Sequence, residues 1–211
     1  MKYLFTFLFL ASSFAIKAQI PFIHSNVTDD FKNKSLVYNA FKGKYDFLIA
    51  YHIQGMMRIG STNVQIIALK NKKWKKIIFN YKDHNELDQK ITKKRLDKKL
   101  GLQLIETLNK ENFWSLENDS INIRCIKPKP QILPKQSKDT VYITHYKPVA
   151  NLAVLDGADY FLQILQNDKM RFYKTDNPDS YFKFYPQLKQ RGNFISSRDA
   201  LIAAFGINLN K

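Results

Sequence analysis

The stretch Val64–Tyr81 reads VQIIALK, then NKK at Asn71–Lys73, then WKKIIFNY. Two runs rich in β-branched and aromatic residues flank three polar ones. That is the signature of two strands closed by a tight hairpin. Upstream, Tyr45–Met57 alternates Tyr45, Phe47, Ile49, Tyr51 and Ile53 with Asp46, Leu48, Ala50 and His52, the two-residue period of a strand. Gly60-Ser61-Thr62-Asn63 reads as the turn between them.

Downstream, residues 82–95 read as a polar connection. Leu96, Leu100, Leu104 and Leu108 then recur every four residues with Ile105 beside them, an amphipathic helix whose leucines face the sheet. Gly101 costs such a helix about 1 kcal/mol relative to alanine, so it points to close packing there or to a later start. Phe113–Leu116 (FWSL) drops aromatic mass onto the core, and residues 120–126 read as a further strand.

The second half repeats the theme. Thr140–Lys147 alternates as a strand, Asp156-Gly157 marks a turn, and Tyr160–Gln166 with Met170–Thr175 forms a hairpin around Asn167-Asp168-Lys169. Asn177-Pro178 opens a short helix ended by Pro186. A last helix is expected from Ser196, with Asp199 completing a capping box and Gly206 as its stop. Asn71 and Asn167 align the two hairpins as a weak internal repeat. Before all this, residues 19–44 read as a polar arm, with Ser35–Phe41 a short helix or strand.

Runs of strands broken by segregated helices argue α+β. The expected architecture is an antiparallel β-sheet built from hairpins, with an amphipathic helix after each hairpin set, in a single compact domain over residues 19–211. Pro128, Pro130 and Pro134 among lysines make 127–138 a Pro/Lys-rich loop or linker.

Residues 1–18 read as a cleaved signal peptide: Lys2, an apolar run Leu4–Ile16, then Lys17-Ala18 before Gln19. The run is too short to span a bilayer, which needs about 20 apolar residues, and no second run of that length follows. The Lys17-Ala18-Gln19 ending resembles exported proteins of Gram-negative bacteria. A secreted or periplasmic protein is expected, with no transmembrane segment in the mature chain. Cys125 is the single cysteine, so an intrachain disulfide is excluded.

The chain carries 34 Lys and Arg against 18 Asp and Glu, a net charge of +16. Loss of Lys2 and Lys17 with the signal leaves +14. Such a balance favours anionic partners. For an exported chain these are anionic lipid, lipopolysaccharide or polysaccharide, and nucleic acid is only a secondary reading. Two basic clusters stand out: Lys70, Lys72, Lys73, Lys75 and Lys76 around Trp74, and Lys90, Lys93, Lys94, Arg95, Lys98 and Lys99. An indole amid lysine stems suits a half-wet polyanion contact. The competing reading folds Trp74 onto the core and leaves the lysines to solvent. The candidate binding residues are Lys72, Lys73, Trp74, Lys75 and Lys76.

Catalytic signatures are missing. There is no GxSxG elbow, HExxH helix, phosphate loop or GxGxxG turn. His24, His52, His84 and His145 show no metal-ligand spacing, and the acids near Asp156 and Asp179 read as turn and cap chemistry. No metal and no cofactor are expected. The leading functional expectation is an exported, non-enzymatic binding or envelope-associated protein. The alternative is a secreted hydrolase whose loops assemble His52, His145 and Asp156.

Overall fold

A computed structural model describes residues 19–55, 61–82, 85–123 and 157–206. Six strands form one antiparallel sheet: β1 Phe47–Gly55, β2 Ser61–Lys70, β3 Lys73–Lys82, β4 Asn85–Arg95, β5 Ala158–Gln166 and β6 Lys169–Asp176. Their spatial order is β4-β3-β2-β1-β5-β6. The helices are α1 Asp29–Lys34, α2 Leu36–Phe41, α3 Lys98–Lys110, α4 Asn118–Ile121, α5 Pro178–Phe184 and α6 Lys189–Phe205, with a 3-10 turn at Phe113–Ser115. This is the expected α+β class, with helices following each hairpin set.

β1 lies at the centre because both of its faces are apolar. Phe47, Ile49 and Tyr51 pack against α3, α6 and the 3-10 turn through Leu104, Leu108, Phe113, Phe194 and Leu201. Leu48 and Ala50 face the other way, toward Val37 and Phe41 of α2. The sheet is thus covered on one side by the later helices and on the other by the N-terminal arm. Each fully buried Phe or Leu contributes about 1.5–3 kcal/mol, so the two layers together account for much of the fold's stability.

The β2–β3 hairpin closes on Lys70↔Lys73, so only Asn71 and Lys72 form its loop. Both take positive φ, 48° and 61°. That is the primed turn whose twist suits a two-residue hairpin. Asn167 adopts φ 56° at the β5–β6 tip for a similar reason. The likeness of the two hairpins therefore has a local cause in turn chemistry. Ser61–Asn63, expected as a turn, belongs to β2.

Other expectations are corrected. Residues 85–95 form an edge strand where a polar connection was expected. Its partner β3 supplies the pairing, so solvated residues suffice. Ser120 and Ile121, expected to open a strand over 120–126, instead close the helix Asn118–Ile121, with Ile121 buried in the helix-side core. Residues 124–126, including Cys125, lie outside the described residues, as do 1–18, the expected loop or linker at 127–138 and the expected strand at 140–147.

Helix α3 begins at Lys98, after Leu96, and Asp97 caps it by accepting the Lys99 N–H at 2.7 Å. Leu104, Ile105 and Leu108 are buried, but Leu100 is 41% exposed. At about 100° per residue, Gly101, Leu104, Ile105 and Leu108 centre the buried face some 90° away from Leu100. Gly101 sits where Leu100 was expected to pack. A Cβ there would stand 2.6 Å from Trp74 Cγ, so the indole lies directly on the helix backbone.

α6 starts seven residues before Ser196, so Ser196 and Asp199 are mid-helix and form no capping box. The early turns were obscured by Arg191, which is fully buried. Its Nε donates to Ile121 O at 2.9 Å and its Nη2 to Ile123 O at 2.7 Å, with the guanidinium 5.2 Å from the Tyr181 ring centroid. Gly206, at φ 87°, ends the helix as expected. Asn177 precedes α5 with φ 40°, but its side chain does not cap it. It accepts the Ala158 N–H at 3.0 Å and ties α5 to the start of β5.

The two edges of the sheet differ. Along β6 every outward backbone group from Met170 to Lys174 is met. Met170 N donates to Ser25 Oγ and its carbonyl accepts from Asn26 N. The Asn26 amide takes the Phe172 N–H at 2.8 Å and donates to Phe172 O at 3.0 Å. Asn118 accepts from Lys174 N at 3.0 Å, and Asn122 donates to Lys174 O at 2.8 Å. Three asparagine amides thus stand in for a seventh strand. At the opposite edge, β4 ends the sheet with no such cover among the described residues.

Candidate anion-binding face

The two basic clusters, some 20 residues apart in sequence, meet in space. Antiparallel pairing sets Lys75 opposite Arg95, Lys76 opposite Lys94 and Ile77 opposite Lys93. Side chains alternate along each strand. Ile77 and Phe79 point to the α2 side of the sheet, so Lys73 and Lys75 share that side. The register puts Lys93 and Arg95 there as well. Lys70, paired with Lys73, extends the same face.

The Lys75–Arg95 pair is of the close type. Leu96 N–H donates to Trp74 O at 3.1 Å, which makes Trp74–Leu96 a hydrogen-bonded pair and Lys75–Arg95, one step on, a non-hydrogen-bonded one. In such pairs the Cα atoms stand about 4.5 Å apart and the side chains are closest. Two cations directly opposite each other destabilise the sheet. Among the described residues, no carboxylate forms an ion pair with Lys73, Lys75, Lys93, Lys94 or Arg95; the ion pairs lie elsewhere. A groove of about 450 Å³ is lined by Lys73, Lys75, Lys93 and Arg95, with Trp74 and Lys94 from between them.

The five residues singled out from the sequence divide. Lys73 and Lys75 line the groove. Lys72 occupies the hairpin tip, exposed. Trp74 is only 4% exposed and packs in the helix-side core, so its ring is not the interfacial contact considered from sequence. Lys76 is committed to the opposite face: its Nζ donates to Phe205 O at 3.0 Å and lies 5.9 Å from the Phe205 ring centroid. There it meets the negative C-terminal end of α6. Lys93 and Arg95 complete the groove. Their cluster was visible in sequence; their register against β3 was not.

His52 sits elsewhere, on β1, stacked on Phe161 with centroids 4.4 Å apart and planes within 3°. It lines a cleft of about 330 Å³ with Phe31, Leu36, Tyr81 and Phe172, and no acid is among the lining residues. His145 and Asp156 lie outside the described residues. Among the described residues, no three His, Cys, Asp or Glu side chains converge as metal donors, and no helix is long and apolar enough to cross a membrane.

The main ionic cluster of the described residues lies under α6. Arg198 grips both carboxylate oxygens of Asp179, Nη2 to Oδ1 at 2.8 Å, and donates through Nε to Asp199 at 2.8 Å. Those hydrogen bonds hold the Asp179 carboxyl below the usual carboxylate range against the opposing effect of burial. Nearby, burial pushes the Tyr51 hydroxyl well above the ordinary phenol range. The Arg198–Asp179 pair joins α5 to α6 and does not face the basic groove. No known family model matches the chain, and no curated protein is detectably similar to it.

Proposed function

We propose that this chain is an exported, non-enzymatic binding protein that holds anionic polymers of the cell envelope against the outer part of β3 and β4. The observation that carries the reading is the unneutralised opposition of Lys75 and Arg95, flanked by Lys73 and Lys93 in one groove. A sheet that places cations face to face gains stability when an anion lies between them. The repeated phosphates or carboxylates of lipopolysaccharide, anionic lipid headgroups or acidic polysaccharide supply such anions in series. The signal-like N-terminus supports export to a compartment where those polymers are found.

Two measurements test this reading. Mass spectrometry of the exported protein should give an N-terminus at Gln19; a retained Met1 in a cytosolic pool would remove the export argument. Flotation with vesicles containing lipopolysaccharide should show binding that weakens steeply with salt, since screening shortens from about 10 Å at 0.1 M to about 3 Å at 1 M. Absence of binding at low salt would leave the charge without an anionic target.

A further inference from the structure

We propose that the outer edge of β4 is a docking edge for an extended, acidic segment of a partner protein, which would add to the sheet as a seventh strand. The proposal rests on the backbone of the edge and stands independently of polymer binding in the groove.

The alternation that makes Lys75–Arg95 a non-hydrogen-bonded pair turns the N–H and C=O groups of Arg95, Lys93 and Ile91 away from β3. Among the described residues nothing pairs with them, because β4 ends the sheet. Such a row is a template for strand addition. The contrast with β6 is informative, since there Asn26, Asn118 and Asn122 satisfy the outward groups from Phe172 to Lys174. Among the described residues, one edge is closed by side chains and the other is left open.

Charge selects the occupant. Lys93 and Arg95 project to one side of β4, and Lys90 and Lys94 to the other. A second copy pairing edge to edge would set these cations against one another, and like charges across a ladder repel. An incoming strand with acids at alternate positions meets cations on whichever face its acids project. The lysines that discourage self-pairing thus favour an acidic partner.

The test uses a labelled peptide of about ten residues alternating glutamate and threonine, long enough for a typical strand. A lysine–threonine peptide and a heparin oligosaccharide are the controls. Amide hydrogen exchange on the wild-type mature protein is the primary readout. Peptide binding should slow exchange at Ile91, Lys93 and Arg95 by about tenfold or more, as expected when exposed amides enter a ladder. Heparin should not slow exchange there, and the lysine peptide should not bind.

Ile91→Pro provides the second arm. It removes one outward donor, at a position where an edge strand tolerates proline, and leaves every cation in place. It should weaken the acidic peptide by about fivefold or more, the loss of one backbone hydrogen bond, while heparin binding is unchanged. If the peptide binds without protecting the three amides, the contact is through side chains alone and the docking edge is refuted. Failure of the acidic peptide to bind also refutes it. A concentration-dependent dimer that protects the same amides without peptide would assign the edge to self-pairing and overturn the acidic partner. Heparin binding left unchanged in a Lys73→Gln/Lys75→Gln variant that still takes the peptide would count against the polymer reading alone.

Discussion

Lys75 and Arg95 stand directly opposite each other in a non-hydrogen-bonded pair at the outer margin of the sheet, with no carboxylate paired to either among the described residues. The arrangement costs stability in the free protein. Arg95→Glu should therefore stabilise it by about 0.5–1 kcal/mol at low ionic strength, by removing the repulsion and adding a cross-strand ion pair. Urea melts at low and high salt would show the gain and its screening. A variant less stable than wild type at low salt would mean the two cations are not in conflict.

The helix-side core gives a sharp contrast between two leucines on one helix. Leu104 is buried and Leu100 is 41% exposed. Leu104→Ala should cost about 2–5 kcal/mol, as buried leucine truncations do, and Leu100→Ala about 0.5 kcal/mol or less, as exposed substitutions do. Similar losses in denaturant melts of the two variants would contradict the rotation of this helix described above.

Gly101→Ala should destabilise despite the better helix propensity of alanine. The Cβ would stand 2.6 Å from Trp74 Cγ, with the indole between helix and sheet. Displacing a packed ring costs about 1–3 kcal/mol, more than the roughly 1 kcal/mol that propensity returns. Tryptophan emission shifted to the red would accompany the loss. A more stable variant with unchanged emission would show that Trp74 does not cover Gly101.

Asp179 makes part of the stability pH-dependent. Arg198 lowers its folded carboxyl pKa. The contribution is complete above the unfolded value, about 3.9, and fades as pH falls through the lowered folded value. Asp179→Asn should reduce stability at neutral pH and flatten the acid limb of a stability–pH curve. An acid limb of unchanged slope would remove Asp179 from the account.

Several parts of this fold are legible in the residues alone. Val64–Tyr81 declares its hairpin through β-branched content and an asparagine turn, and both hairpin sets are followed by helices, as their periodicities imply. β4 is not legible, because its residues from Gln89 to Arg95, Lys90, Lys93, Lys94 and Arg95 among them, are all exposed and write no apolar alternation into the sequence. The start of α6 is hidden for the opposite reason. Arg191 looks like a surface residue, yet its guanidinium is buried on the carbonyls of Ile121 and Ile123. The candidate site falls between these cases. Its cations are conspicuous, but which of them share a face depends on the register of the strand that the pattern conceals.

The most direct measurement of the central claim compares two variants of equal charge loss. Lys73→Gln/Lys75→Gln/Lys93→Gln removes cations that line the groove, and Lys110→Gln/Lys183→Gln/Lys189→Gln removes cations outside it. Heparin affinity is then followed across a salt series. The account predicts that the first variant loses affinity about tenfold or more and shows a shallower salt dependence, as expected when polyanion contacts are removed. The second should stay close to wild type. Equal losses and equal slopes in the two variants would contradict it, leaving diffuse net charge in place of a binding face.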